Sequence, residues 1–384
     1  NGGWVSALFP VGPDILARRY GEAAARAQLA AMRDTVDEVG RVVQAEGIDA
    51  GFLKSGTLVT ARGPAQVTRA REDVEASRYW GSGTTWLGPG EARDRIRMTA
   101  LLGATFNPNC ARVQPFRLAV GLGAACVRLG VDIREGSPVA DAGRGLVRTV
   151  RGPVVRARHV IRATEAWTAR LPRLRRHLAP VYSLVVATEP LPASAWDEIG
   201  LAGREVFGSH QHVIVYGQRC TDDRLVFGGR GAPYHLGSGI GPDFDEDETV
   251  FASLRRTVGT LFPVLREATF THCWGGPLGV ARDWHPAVHY DPASGVGWAG
   301  GYVGDGVATA NLAGRTLADL VTGRSTPLTA LPWVGHDSPL WEPEPARWLG
   351  VNAGLQLARL ADMEERITGH PALLGRAVSA LTGH

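Results

Sequence analysis

Lysine is almost missing from this chain: of 41 basic residues only Lys54 is a lysine, and 38 acidic residues leave a formal charge of +3 on 384 residues. No run of basic residues is interleaved with aromatics, which excludes a nucleic-acid footprint. Cysteine is scarce too. Cys110, Cys126, Cys220 and Cys273 are widely spaced and none belongs to a CxxC or Cys/His ligand pattern, so a reducing cytoplasmic compartment fits best. Long apolar runs are lacking: "LAVGLGAACV" is about half of what a membrane span requires, so no membrane segment is expected. The opening Asn1-Gly2-Gly3-Trp4 has no initiator Met, charged n-region or apolar h-region and reads as neither a translation start nor a signal peptide. What remains, 44% hydrophobic and 21% charged, is the composition of an ordinary globular protein large enough for about two domains.

Periodicity organises the chain. In "YGEAAARAQLAAMRDTVDEVGRVVQAEG", Leu29, Met32, Val36, Val39 and Val43 fall three and four apart, which predicts one apolar helix stripe ended by Gly47. A strand, "GTLVT", a helix from about Pro64 to Tyr79 and the turn-rich "GSGTTWLGPGEA" follow. The segment "QPFRLAVGLGAACVRLG" places Leu118, Leu122, Ala125 and Leu129 on one helix face, with Gly130 as cap before a strand "VDIRE". Strands "GLVRTV" and "VVRARHVIRAT" complete an α/β arrangement. From Pro180 to about Thr271 the pattern becomes mostly strands, "VYSLVVATEP", "HVIVYG" and "RLVFGG". One helix interrupts them near "TVFASLRRTVGTLF", with the acidic "DFDEDE" at its N-terminus. The α/β pattern returns with strand "VGWAG", a glycine-rich turn and a helix carrying Leu312, Leu317 and Leu320. The tail is Pro-rich, then helical from about Ala353.

The turn Gly300-Gly301-Tyr302-Val303-Gly304-Asp305-Gly306 is the best candidate ligand-binding feature. Glycines let backbone approach a ligand, and the following helix N-terminus suits phosphate or the anionic edge of a reduced flavin. A plain tight connection remains the alternative. His210 and His212 would share a strand face but lack a third ligand nearby, so no metal site is assigned. Lys54 is read as solvated. Arg230 is either an anion fork or a turn residue.

Taken together, "NGGW", "RVQPFRL", "VIRATEAWTARL", "PVYSLVVATEP", "FGGRGAPYH", "CWGGPLGVARDW" and "WAGGYVGDGVATANLAGRTLADL" resemble the D-amino-acid-oxidase-type superfamily of FAD-dependent oxidoreductases. The branch containing γ-glutamylputrescine oxidase-like enzymes is the most similar. The resemblance implies an α/β, Rossmann-like FAD-binding domain of glutathione-reductase type, with an inserted, mainly antiparallel α+β substrate domain. It sets the FAD-binding domain at 1–46, 100–175 and 284–326, the substrate domain at 47–99 and 176–283, and a C-terminal helical tail at 327–384. In that family a first βαβ unit with GxGxxG precedes "NGGW"; no GxGxxG opens a helix in this sequence. The chain resembles a member without that unit of about 40 residues. Exposed apolar surface along one sheet edge and the Gly-rich turn is the expected consequence.

By the same resemblance Asn1, Gly2, Gly3 and Trp4 stand beside the flavin. Val139 matches a position on the adenosine half, and Thr164 and Trp167 match the turn beneath the diphosphate. Gly301, Gly304, Asp305, Gly306 and Val307 belong to the turn at the pyrimidine edge. Trp274 and Tyr302 are expected to wall the substrate pocket. Ala308 stands where sarcosine-oxidase-like relatives carry a carboxylate-binding Lys, which favours an amine over a small N-methyl amino acid. Gly276 matches the position where some relatives attach flavin through Cys, so the FAD is expected to be noncovalent. No general base is identified, and catalytic residues stay unassigned; the cofactor carries the hydride chemistry. The implied function is oxidation of the C–N bond of an amine or amino acid, with oxygen as acceptor. A flavin dehydrogenase with another acceptor and a truncated, noncatalytic binding homologue are the alternatives.

Overall fold

The computed structural model describes residues 2–229, 231–373 and 375. In chain order, β1 (Trp4–Ser6), α1 (Pro13–Tyr20) and α2 (Glu22–Ala45) lead to β2 (Thr57–Ala61), α3 (Pro64–Trp80), β3 (Thr85–Leu87), α4 (Pro89–Arg95) and β4 (Gly103–Asn107). Then come β5 (Cys110–Arg112), α5 (Pro115–Arg128), β6 (Val139–Gly143), β7 (Leu146–Thr149), β8 (Val154–Arg156) and β9 (Val160–Arg162). The middle of the chain holds β10 (Ala179–Thr188), α6 (Ala193–Ile199), β11 (Val206–Ser209), β12 (Val215–Arg219), β13 (Leu225–Gly229), α7 (Pro242–Asp245), α8 (Glu248–Leu261) and β14 (Phe270–Val280). It closes with β15 (Ala287–Asp291), β16 (Val296–Gly300), α9 (Gly306–Val321) and α10 (Ala346–Thr368).

Two large hydrophobic cores form, beside two small clusters around Tyr234 and Val185. One lies within the sheet β14-β10-β13-β12-β11-β2-β4-β3, antiparallel except for the parallel β11–β2 pair, and is filled by Leu58, Tyr182, Leu184, Phe207, Phe227 and Phe251. The other gathers α2, α9 and the three-stranded sheet β15-β16-β9, in which β16 and β9 run parallel. The predicted stripe of α2 works as expected: Met32, Val36, Val39 and Val43 are buried against Leu312, Leu317 and Trp333. Gly47 ends the segment at φ +66°, the left-handed backbone glycine allows. An α/β cofactor-type layer joined to a mainly antiparallel sheet is the expected fold class.

Several elements differ from expectation. β4 pairs with both β2 and β3, so residues 103–107 belong to the large sheet rather than to the α/β layer. "VDIRE" is not a strand, and "VVRARHVIRAT" breaks into β8 and β9. His210 and His212 lie in a bend between β11 and β12. α10 starts at Ala346, directly after Pro345, whose ring presets helical φ.

The helix face predicted for α5 exists but is not covered. Only Ala125 is buried; Phe116 is 71% exposed and Leu129 77%, with Val120, Leu122, Val131 and Ile133 also open. Ile161, on the edge strand β9, is exposed as well. The open residues thus lie mainly on α5 and the loop after it, and Gly301, Tyr302 and Val303 of the Gly-rich turn are buried, against the exposure expected there.

Candidate active site

Gly2 and Gly3 run into β1, which lies along β5 with Trp4 opposite Arg112. The Val113 N–H donates to the Gly3 carbonyl at 2.8 Å, and Gln218 Nε2, from β12, donates to the Gly2 carbonyl at 2.6 Å. Gly3 has φ +75°, and a Cβ there would sit 2.2 Å from Gln218 Nε2 and 2.3 Å from the Val113 carbonyl. Glycine alone lets the loop lie against both. The Trp4 ring meets Tyr216 edge-on at 6.0 Å. The segment is thereby clamped between β5 and β12, at the junction of the two cores.

Beside it opens a cavity of about 490 Å³ whose lining includes Gly2, Arg112, Gln114, Gln218, Cys220 and Trp274. That volume holds a small organic ligand. Two buried polar atoms of its lining, Arg112 Nε and Gln218 Oε1, have no partner among the described residues, and neither has Trp4 Nε1 nearby in the loop.

The Gly-rich turn follows β16. Gly301, Val303 and Gly304 have φ of +79°, +55° and +99°, and Asp305 precedes α9 as its N-cap residue. Glu165 holds the turn from a 3₁₀ turn (Glu165–Arg170) after β9. Its carboxylate accepts from the Tyr302 N–H at 2.9 Å and the Gly301 N–H at 3.3 Å. Glu165 itself has φ +43°, and a Cβ on Gly279 would lie 2.0 Å from its Oε2. Burial pushes its carboxyl up to about 7, against the two amide bonds that lower it.

With this geometry in view, the sequence matches the family of FAD dependent oxidoreductases over residues 1–320. The chain belongs to that family. A probable oxidoreductase, OrdL, of Haemophilus influenzae is 31% identical over 232 residues, covering 58% of this chain and 50% of the relative. Gamma-glutamylputrescine oxidoreductase of Escherichia coli is 24% identical over 328 residues, covering 84% and 74%. Among solved structures, glycine oxidase from Geobacillus kaustophilus superposes with a TM-score of 0.68 at 22% identity, covering 88% of each chain. The chain spans about half the length of the OrdL relatives.

The residues at the loop end fit this family's cofactor. Tyr216 packs where a Cβ on Gly2 would stand, at 2.4 Å, so glycine lets the loop lie tight against the protein while Gly2 still lines the neighbouring cavity. The unpartnered Gln218 Oε1 belongs to that cavity's lining, and the unpartnered Trp4 Nε1 lies in the loop beside it. Trp274 is among the residues that line the cavity. Tyr302 is not: its ring packs in the core with Ala308 and Leu312, because the turn's backbone, held by Glu165, directs the side chain inward. Val307 packs against that core, Thr164 Oγ1 bonds Thr168 Oγ1 at 2.8 Å, Trp167 is half-exposed, and Val139 opens the small sheet β6-β7-β8 at the surface. Asn1 and Arg230 lie outside the described residues. Lys54 pairs with Asp37 at 2.5 Å.

The histidine pair has a structural partner that the sequence hides. His212, Asp362 and Glu365 converge with ligand atoms within 4.8 Å. Their oxygens are already engaged: Arg69 grips Glu365 at 2.9 and 2.8 Å, His212 Nε2 meets it at 3.0 Å, and Asp362 accepts the His212 and Val213 N–H groups. This is an ion-pair clamp fastening α10 to α3. Reading single segments missed Glu165, Gln218 and this clamp; "RVQPFRL" pointed to the neighbourhood of Arg112 without giving it a role.

Proposed function

We propose that the chain oxidises the C–N bond of an amine or amino acid, in the manner of γ-glutamylputrescine oxidation, with noncovalent FAD and with oxygen as acceptor. The observation that carries this reading is the cavity bordered by the Gly2–Trp4 loop and Trp274. The substrate loses two electrons and two protons to become an imine, which water hydrolyses, and oxygen leaves as hydrogen peroxide. FAD, when bound, supplies the hydride acceptor.

The chain's own residues bind, orient and exclude water. Gly2, Gly3 and Trp4 would hold the flavin end, and Trp274, in the lining of the same cavity, would border the substrate. Backbone N–H groups of Gly304, Asp305, Gly306 and Val307, at the N-terminus of α9, favour negative charge at the pyrimidine edge. Gly301 belongs to that same turn, while Thr164 and Trp167 are assigned to the diphosphate side and Val139 to the adenosine side. Cys273 neighbours Trp274 on β14 and so points to the opposite face, which supports a noncovalent flavin. Four free cysteines suit a cytoplasmic setting, and no helix among the described residues is long and apolar enough to cross a membrane.

The test is peroxide release by the purified flavoprotein against a panel of amines and amino acids, with an artificial dye as parallel acceptor. Peroxide formed in step with amine loss is the expected result. Dye reduction without peroxide would make the protein a dehydrogenase.

A further inference from the structure

A carboxyl without a cation stands behind the Gly-rich turn. Glu165 accepts from the Gly301 and Tyr302 N–H groups at 3.3 and 2.9 Å, and no Arg, Lys or His side chain pairs with it among the described residues. The fold clears space for this one group. Glu165 takes the left-handed conformation, at φ +43°, which is costly for a residue with a Cβ. A Cβ on Gly279 would stand 2.0 Å from its Oε2, and one on Gly300 3.6 Å. Bracing alone does not call for an acid here, because neutral carbonyls brace the rest of the turn. The Gly279 carbonyl accepts the Val303 N–H at 3.3 Å, and the Tyr302 carbonyl accepts the Asp305 N–H at 3.0 Å.

The charged and titratable groups on the surrounding elements leave this carboxyl free to change its charge. Arg162 ends β9, Tyr182 comes from β10, His285 follows β14, and Tyr302 and Asp305 belong to the turn itself. Arg170, on Glu165's own 3₁₀ turn, donates to the Ile240 carbonyl at 3.2 Å. None of them sets the Glu165 charge; burial outweighs the two amide bonds and brings the carboxyl up to about 7. The influence runs outward at Tyr302, whose hydroxyl is pushed up by burial and then by Glu165.

We propose that Glu165 is a positioning residue that couples proton uptake to reduction of the flavin. This rests on reading the Gly-rich turn as the site of the pyrimidine edge. Ionised, the carboxylate lays negative charge behind the same backbone whose N–H groups favour an anion at the N-terminus of α9, and so opposes the reduced cofactor; protonated, it holds the turn without that opposition. Reduction adds two electrons and one proton to the flavin and leaves it one negative charge. Where Glu165 starts ionised, its carboxylate takes one further proton from solvent, so two electrons enter with two protons.

The test is the midpoint potential of the flavin-loaded protein, measured with redox mediators from about pH 5 to about pH 9, a span that brackets the ordinary and the raised carboxyl. Each proton taken up changes the equilibrium tenfold per pH unit, so wild type should fall by about 30 mV per unit below about pH 7 and by about 60 mV per unit above it. Glu165→Gln, which keeps the shape, and Glu165→Asn, which suits the left-handed backbone, should both hold about 30 mV per unit throughout. The flavin's own second proton would make the slope shallower with rising pH, so a steepening separates the two sources. Infrared difference spectra of wild type at about pH 8 should also show the C=O band of a protonated carboxyl appearing on reduction; if neither variant folds, that band and the wild-type slope decide. A wild-type slope without the break, the same break in both variants, or no such band overturns the proposal and leaves Glu165 a brace. No amine enters the measurement, so a Glu165-dependent break in a protein that oxidises no amine would leave the proposal standing and remove the oxidase reading. A protein that takes up no FAD would overturn both.

Discussion

Glu165 shows how one side chain can hold a glycine-rich turn. It carries a carboxylate into the fold to hold two backbone amides, with burial winning over those bonds. Its folded pKa of about 7 stands above its ordinary 4.5, so the folded protein binds the extra proton. Stability from this group is full below about pH 4.5 and is lost as pH rises to about 7, by on the order of 2 kcal/mol, allowing for partial solvent access. Denaturation of wild type and Glu165→Gln across pH 4 to 8 should show wild type losing ground to the variant over that interval. A pH-independent difference would mean the carboxyl is ionised throughout. Sequence alone exposed the neighbouring glycines but not Glu165, because its role depends on where the chain brings residue 301 back to residue 165. The same holds for Gln218 and Gly2, which meet across 216 positions.

At the scale of elements, periodicity found helices more reliably than it found what covers them. The stripe of α2 is buried as its spacing predicts, whereas the equally regular face of α5 stands open, since a pattern of apolar residues does not say what packs on it. The bend at His210–His212 reads as strand because Val213, Ile214 and Val215 favour β structure; the clamp from α10 overrides that preference. Burial raises the pKa of Glu365, but hydrogen bonds from Arg69 and His212 and the Arg69 charge prevail and hold it near 2. Its contribution is therefore present above about pH 4.5 and fades toward pH 2. Replacing Arg69 with Met leaves buried Glu365 with only His212 Nε2 and the Ala372 N–H as partners, for a loss of about 3 kcal/mol, the low end for a broken buried pair. Chemical denaturation should show that loss near neutral pH and proteolysis should release α10 first; an unchanged midpoint would show the clamp to be dispensable.

For the whole molecule, the decisive feature is the meeting of two cores along β1, β5 and β12. The core around α2 and α9 carries the glycine loop and the Gly-rich turn; the large sheet supplies Gln218 from β12 and Trp274 from β14. The fold class was legible from strand and helix order, and the loop from its glycines and tryptophan. The cavity was not, because it belongs to neither core and exists only where they join. The most direct measurement is anaerobic absorption spectroscopy of the purified protein. The account predicts a flavin spectrum between about 350 and 500 nm that bleaches on adding an amine or amino acid and returns with oxygen, with flavin released on acid precipitation. A colourless protein that takes up no FAD, or a flavin that no amine bleaches, would contradict it.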